Sequence, residues 1–319
     1  MTDSRTPSPA APLAALEARI GRTHMRQRLG IEGETDALMA DGSVPVVKRD
    51  PWLSTHRLIR AGLTLAGLRG RGRRNVLDIR QRHNDVTLAG LPAAFDGYTL
   101  LHLSDLHLDI DEAFVDHLIE RVQGLAYDLC VMTGDFRFRS FGPHQAALHA
   151  LGRLMAHIGQ PAYAVLGNHD SIRMVPAMES MGVRVLLNES VGLQHAGARL
   201  HLAGIDDAHY FRTHNLHKAV EAIEPDAPAI LLSHTPEPYR LAAHSGFGLM
   251  LCGHTHGGQI CLPGGIPILT DSRAPRRFAR GAWQYRQMAG YTSVGCGASI
   301  VDVRLNCPPE VTLHRLRTA

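Results

Sequence analysis

Seven side chains able to hold a cation recur in one setting along the chain. Each follows a short apolar run: Asp105 and His107 in "SDLHLD", Asp135 in "TGDFR", Asn168 in "LGNHD", His234 in "AILLSH", and His254 and His256 in "GLMLCGHTHGGQ". Carboxylate, amide and imidazole groups bind divalent ions, and the set contains no cysteine, which disfavours a closed structural zinc site. Seven donors are too many for one tetrahedral ion. With one carboxylate shared they suit two ions about 3.5–4 Å apart.

The runs that carry these donors read as strands at 98–104, 127–133, 162–167, 199–205, 229–233 and 248–252, with helical stretches at 111–124, 143–158 and 236–244. Such alternation predicts an α/β fold with a largely buried sheet. Ligands of α/β sheets bind beyond the carboxyl ends of strands, so the donors are expected along one rim. Gly134, Gly167 and Gly253 stand beside them, where the chain must turn sharply without a Cβ in the way.

Composition narrows the class. The 319 residues exceed a typical single domain of roughly 100–200, and a 45% hydrophobic share allows a sizeable core. A net charge of +3 is not the footprint of a dedicated nucleic-acid binder, and none is expected as a partner. Five cysteines without a CxxC pair describe no disulfide framework, and Cys130 in "YDLCVMT" reads as a buried free thiol. The amino terminus lacks the features of a secretory signal, and no run is apolar for the 18 residues that a membrane span requires. A cytoplasmic location follows as the expectation.

In order, "SDLHL", "GD", "GNHD", "SH" and "GHTHGGQ" resemble the calcineurin-like metallophosphoesterases over roughly residues 75–319. "HTPE", "GHTHGGQICLPG" and the tail "GASIVDVRLNCPPEVTLHRL" look like a branch containing membrane-associated phosphodiesterases and UDP-2,3-diacylglucosamine hydrolases. The resemblance implies two mixed β-sheets packed as a sandwich flanked by helices. It implies two divalent ions, Mn, Fe or Zn: one held by Asp105, His107, Asp135 and His256, the other by Asp135, Asn168, His234 and His254. His169 would be the catalytic histidine, oriented by Asp170. The expected activity is hydrolysis of a phosphodiester or pyrophosphate, with a lipid-linked nucleotide as the leading substrate. A cyclic-nucleotide or general phosphodiesterase and a non-catalytic metal-binding scaffold are the alternatives. After Asp135, "FRFRSFG" lacks the acidic residue of many relatives and offers Arg137 and Arg139 to a phosphate oxygen.

Other polar clusters have plainer readings. His209, His214 and His217 read as a surface loop entering a helix, and His144, His149 and His157 as surface or packed residues of one helix. Asp206 and Asp207 in "GIDD" stabilise a turn or touch substrate. Residues 1–74 form an amino-terminal extension: a Ser/Pro/Ala-rich, disordered start, a basic helix at 13–30, a polar stretch through Asp50, and the basic segment His56–Arg74. That last segment carries six arginines and no acid among Leu58, Ile59, Leu63, Leu65 and Leu68. It is either a solvated or packed arm, or an amphipathic helix that holds the chain peripherally at an anionic membrane surface. The catalytic domain follows at 75–319.

Overall fold

The computed structural model describes residues 10–40, 51–159 and 161–319. In chain order come α1 (Ala10–Ile20), α2 (Arg22–Ala40), α3 (Pro51–Leu65), α4 (Arg69–Val76), β1 (Arg80–Leu88), β2 (Thr99–Leu103), α5 (Glu112–Val122), β3 (Leu129–Met132), α6 (Gln145–Met155), β4 (Ala162–Ala164), α7 (Val175–Ser180) and β5 (Val183–Val185). The second half adds β6 (Glu189–His195), β7 (Ala198–Gly204), α8 (Leu216–Val220), β8 (Ala229–Leu232), α9 (Tyr239–His244), β9 (Leu249–Cys252), β10 (Cys261–Leu262), β11 (Ile266–Pro267), β12 (Gly281–Tyr285), β13 (Met288–Thr292) and β14 (Glu310–Thr318).

Two mixed six-stranded sheets, ordered β1-β14-β2-β3-β4-β5 and β12-β13-β9-β8-β7-β6, make the α/β sandwich that the resemblance implied. In each sheet four neighbouring strands run parallel, β2 to β5 in one and β7, β8, β9 and β13 in the other. The uninterrupted apolar sequences of β3, β8 and β9 follow from burial on both faces. Leu100, Leu129 and Val131 of the first sheet meet Ile230, Leu249 and Leu251 of the second in the central core. Their alternates Leu101, Cys130 and Met132 pack under α5 and α6, while Leu231, Met250 and Cys252 pack with residues of α8 and α9. All five cysteines are free and buried.

The amino-terminal helices depart from the sequence reading. A helix does cover 13–30, but in two pieces broken at Gly21, whose φ of +95° only glycine adopts freely. Leu16 and Ile20 of α1 and Met25 of α2 enter the same core as α5 and α6. The segment 56–74 is likewise two helices, α3 and α4, separated around Gly67 at φ +66°, so no single helical wheel describes it. Gly72 packs α4 against Val303, where a Cβ would come within 2.8 Å. The expectations for residues 1–9 and 41–50 lie outside the described residues. Among the described residues no helix is long and apolar enough to cross a membrane.

Candidate metal centre

The seven predicted donors stand on the loops after β2, β3, β4, β8 and β9, so both sheets contribute. Two buried trios have donor atoms within 4.8 Å of one another: Asp105, His107 and His256, and Asp135, His234 and His254. Asn168 joins the second, with Oδ1 2.9 Å from His234 Nε2. Asp135 stands between the two: its Oδ2 is 3.3 Å from His234 Nε2 and 3.9 Å from His107 Nε2.

The backbone is strained here. Asp105, His107, Asp135, His254 and His256 have φ of +50°, +44°, +58°, +70° and +49°. Non-glycine residues seldom adopt that left-handed region, and such strain persists where the surrounding structure fixes a functional geometry. Close approach explains two glycines. A Cβ on Gly253 would lie 1.8 Å from Ser104 Oγ and 2.3 Å from Asp105 Oδ2, and one on Gly167 would lie 2.2 Å from Asp135 Oδ1.

The donor chemistry fits divalent cations. The Nδ1–H groups of His107 and His234 donate to the carbonyls of Arg137 and Thr133 at 2.9 and 2.7 Å, which turns each Nε2 toward the site. There His107 Nε2 faces His256 Nε2 at 3.2 Å, and His234 Nε2 faces His254 Nδ1 at 3.1 Å. Burial pushes His107 down to about 3 and holds His254 and His256 well below the ordinary imidazole range. These rings therefore stay neutral with lone pairs to give, the form a metal requires. Burial alone would raise Asp135, but His234 and then His169 outweigh it and hold this carboxyl well below its usual range. Against its own burial, His234 is drawn up to about 10 by Asp135. Burial lifts Asp105 to about 6.

Residues 98–258 match the calcineurin-like phosphoesterase family, an interval holding all seven donors. The chain is 30% identical over 237 residues to the uncharacterized metallophosphoesterase YkoQ of Bacillus subtilis, covering 71% of this chain and 86% of that one. The chain is a calcineurin-like phosphoesterase. It is also 27% identical over 231 residues to the phosphodiesterase YaeI of Escherichia coli (69% of this chain, 82% of the other). A Bos taurus transmembrane protein with a metallophosphoesterase domain is 30% identical over 257 residues (74% and 56%).

Two of the predicted site residues of this phosphoesterase, Asp170 and Arg137, bind backbone groups. The carboxylate of Asp170 does not touch the His169 ring. It accepts from the backbone N–H groups of Asp135, Phe136 and Gly167 at 2.7, 2.8 and 2.9 Å, because the strained turn leaves these donors without carbonyl partners. His169 is instead set by the Phe138 carbonyl, 2.5 Å from Nδ1, which leaves Nε2 3.9 Å from Asp135 Oδ2. Arg137 is buried. Its guanidinium donates to the carbonyls of His169, Ser140 and Gly142, stapling the loop. Arg139 is exposed and free of these contacts.

Asp207 caps the turn 207–211, accepting from the N–H groups of His209, Tyr210 and Phe211 at 3.1, 2.7 and 2.6 Å, so the turn reading holds. His217, His149 and His157 are exposed, as a surface reading requires, whereas His209 comes to the centre, its ring 4.3 Å from that of His254 and its Nδ1 2.9 Å from Glu237 Oε1. Sequence reasoning missed the fully buried Arg304, which donates to the carbonyls of Val294 and Gly297 and lies 3.2 Å from His256 Nδ1. An arginine inside the apolar run "ASIVDVRLNC" was the available signal. It also missed a buried chain behind Asp105: His314, His102, Thr133 and Ser104 are linked at 3.1, 2.9 and 2.7 Å, and Ser104 donates to Asp105 at 2.6 Å.

Proposed function

We propose that this phosphoesterase hydrolyses phosphodiester or pyrophosphate bonds with two divalent ions, Mn, Fe or Zn. Asp105, His107 and His256 would hold one, Asn168, His234 and His254 the other, and Asp135 both. The observation that carries the reading is the position of the Asp135 carboxylate between His234 of its own trio and His107 of the other. When bound, such ions act as Lewis acids and lower the pKa of water from 15.7 toward about 7.

The chain's own groups do the rest. His169 is an imidazole beside the centre that completes neither trio, and its anchored Nδ1 aims Nε2 toward Asp135. It donates a proton to the leaving oxygen or holds a phosphoryl oxygen. Asp170 and Arg137 keep its loop in place through backbone contacts. A scaffold that only bound metal would have no use for such an imidazole.

The substrate class we infer is an amphiphilic phosphoester, of the lipid-linked kind, met at the inner face of an anionic membrane. Its supports are Leu58 and Leu65 of α3, 74% and 90% exposed beside Arg57, and the phosphodiesterase and transmembrane names of two relatives. The test is metal analysis with turnover of a chromogenic phosphodiester in added Mn²⁺. Two ions per chain with hydrolysis abolished by Asp135→Asn are expected. A single tetrahedral zinc unaltered by that substitution would end the dinuclear reading, and metal binding without any turnover would leave the scaffold.

A further inference from the structure

We propose that the β10–β11 hairpin and the arginines after it are the face on which this phosphoesterase docks to an anionic lipid bilayer. The inference deepens the amphiphilic-substrate reading and rests on it for its purpose, but its test does not depend on catalysis.

Leu262, Ile266, Ile268 and Leu269 are 51%, 58%, 53% and 77% exposed. Single exposed apolar residues are ordinary on a soluble protein, but four within eight positions form a patch that marks an interaction site. The hairpin tip, "LPGGIP", turns through Gly264 and Gly265 at φ +80° and +73° and pushes the aliphatic residues outward. Positive charge surrounds them. Between Gly257 and Tyr285 the chain has Arg273, Arg276, Arg277 and Arg280 against one acid, Asp271. All four arginines are exposed. Two are fastened to the hairpin itself: Arg276 donates to the Pro267 carbonyl and Arg280 to that of Gly265. An aliphatic tip in a cationic collar suits an acyl and headgroup boundary, where apolar burial and attraction to anionic lipid add.

The hairpin also adjoins the metal centre. Gly258, two residues past the donor His256, packs so tightly on it that a Cβ would lie 2.5 Å from Pro267 and 3.0 Å from the Leu269 carbonyl. Beyond the hairpin, Asp271 comes 3.9 Å from His209 Nε2, and the Arg273 N–H donates to Glu237 at 2.9 Å. A bilayer touching Ile268 and Leu269 therefore sets its headgroups beside the loops that carry His209, His254 and His256.

The experiment is sedimentation of the full chain with vesicles of phosphatidylcholine, alone or mixed with one-quarter phosphatidylglycerol. The chain should sediment with the anionic vesicles and not with the neutral ones, and release as the screening length shrinks to about 3 Å at 1 M salt. Ile268→Asp combined with Leu269→Asp should lower partitioning by about tenfold or more, since removing even one large aliphatic contact is worth that. Arg273→Gln combined with Arg277→Gln should also cost about tenfold; as it leaves the apolar contacts alone, it keeps the test decisive should the aspartates unfold the hairpin. Turnover of a water-soluble aryl phosphodiester should be unchanged in both. Unaltered sedimentation of both hairpin variants, or none by the wild-type chain, overturns the proposal. So does loss of sedimentation only on Arg57→Gln, Arg71→Gln and Arg74→Gln, which would assign docking to the amino-terminal helices. Sedimentation without phosphodiester turnover would defeat the catalytic reading and leave the docking face standing.

Discussion

His169 is the residue on which ligand and catalyst separate. Its ring belongs to neither donor trio, so His169→Ala should fold, retain its metal and lose about 10²–10⁴-fold in turnover. Loss of metal in that variant would show that the division is wrong, and wild-type turnover that the ring is structural. The groups behind the donors make a different prediction. Ser104 fixes the orientation of Asp105 by a 2.6 Å hydrogen bond, and losing such an outer partner typically costs 10–100-fold in metal affinity. Ser104→Ala should show that loss in a metal titration, with turnover restored at saturating Mn²⁺. The donors were legible in the sequence because each follows an apolar run, and four of them, Asp135, Asn168, His254 and His256, sit beside glycine. The partners were not. Asp170 and Arg137 bind carbonyl and N–H groups of residues whose turns no composition reveals, and Arg304 reaches His256 from the far end of the chain.

Among the elements, α2 holds the two rims of the centre together. Arg28, fully buried, donates to the Asp170 carbonyl at 3.0 Å, lies 3.3 Å from Asp206 Oδ2 and stacks 3.4 Å from the Phe211 ring centroid. Glu32 accepts from the Ser171 hydroxyl at 2.6 Å and the Ile172 N–H at 2.8 Å. One helix thus ties the "GNHD" loop of the first sheet to the "GIDD" loop of the second. Burial would raise the Asp206 carboxyl, but Arg28 and then His24 outweigh it and hold its pKa below the ordinary value. Folded, Asp206 binds a proton less readily than unfolded, where its pKa is about 3.9. Its stabilisation is therefore complete above that value and fades as the pH falls through the acid range. In chelator, Asp206→Asn should be about 3 kcal/mol less stable near neutral pH, because it leaves Arg28 buried with a partner removed. The gap should narrow in urea titrations carried into acid, and a gap constant with pH would show that the pair is not the cause. Nothing in "THMRQRLGIEGE" advertised this role, since a buried arginine and a solvent-facing one read alike in a helix.

Across the whole molecule, the proposed metal centre would also be a clamp. Six strands, β2, β3, β4, β7, β8 and β9, were visible in the sequence as apolar runs, five of them with donors at their ends, but β1, β5, β6, β12, β13 and β14 were not. β1 and β6 are edge strands with mostly exposed or half-buried residues, and β14, "EVTLHRLRT", carries His314 and Arg315 in the middle of its run. Those strands complete the two sheets, yet the donors come from the others: Asp105, His107, Asp135 and Asn168 from the first sheet, His234, His254 and His256 from the second. Metal bound by both sets joins the sheets at their carboxyl edges, and it can bind in this way only when they are packed. Binding to the folded state alone adds about 4 kcal/mol at a free concentration a thousand times the dissociation constant. Chelation should therefore lower the midpoint of thermal unfolding, and Mn²⁺ should restore it in a concentration-dependent way. Asp135→Asn should remove more of that metal-dependent rise than Asn168→Ala, because Asp135 reaches toward donors of both trios and Asn168 toward those of one. A midpoint that ignores chelator, or equal losses in the two variants, would mean that the sheets are not joined through a shared carboxylate.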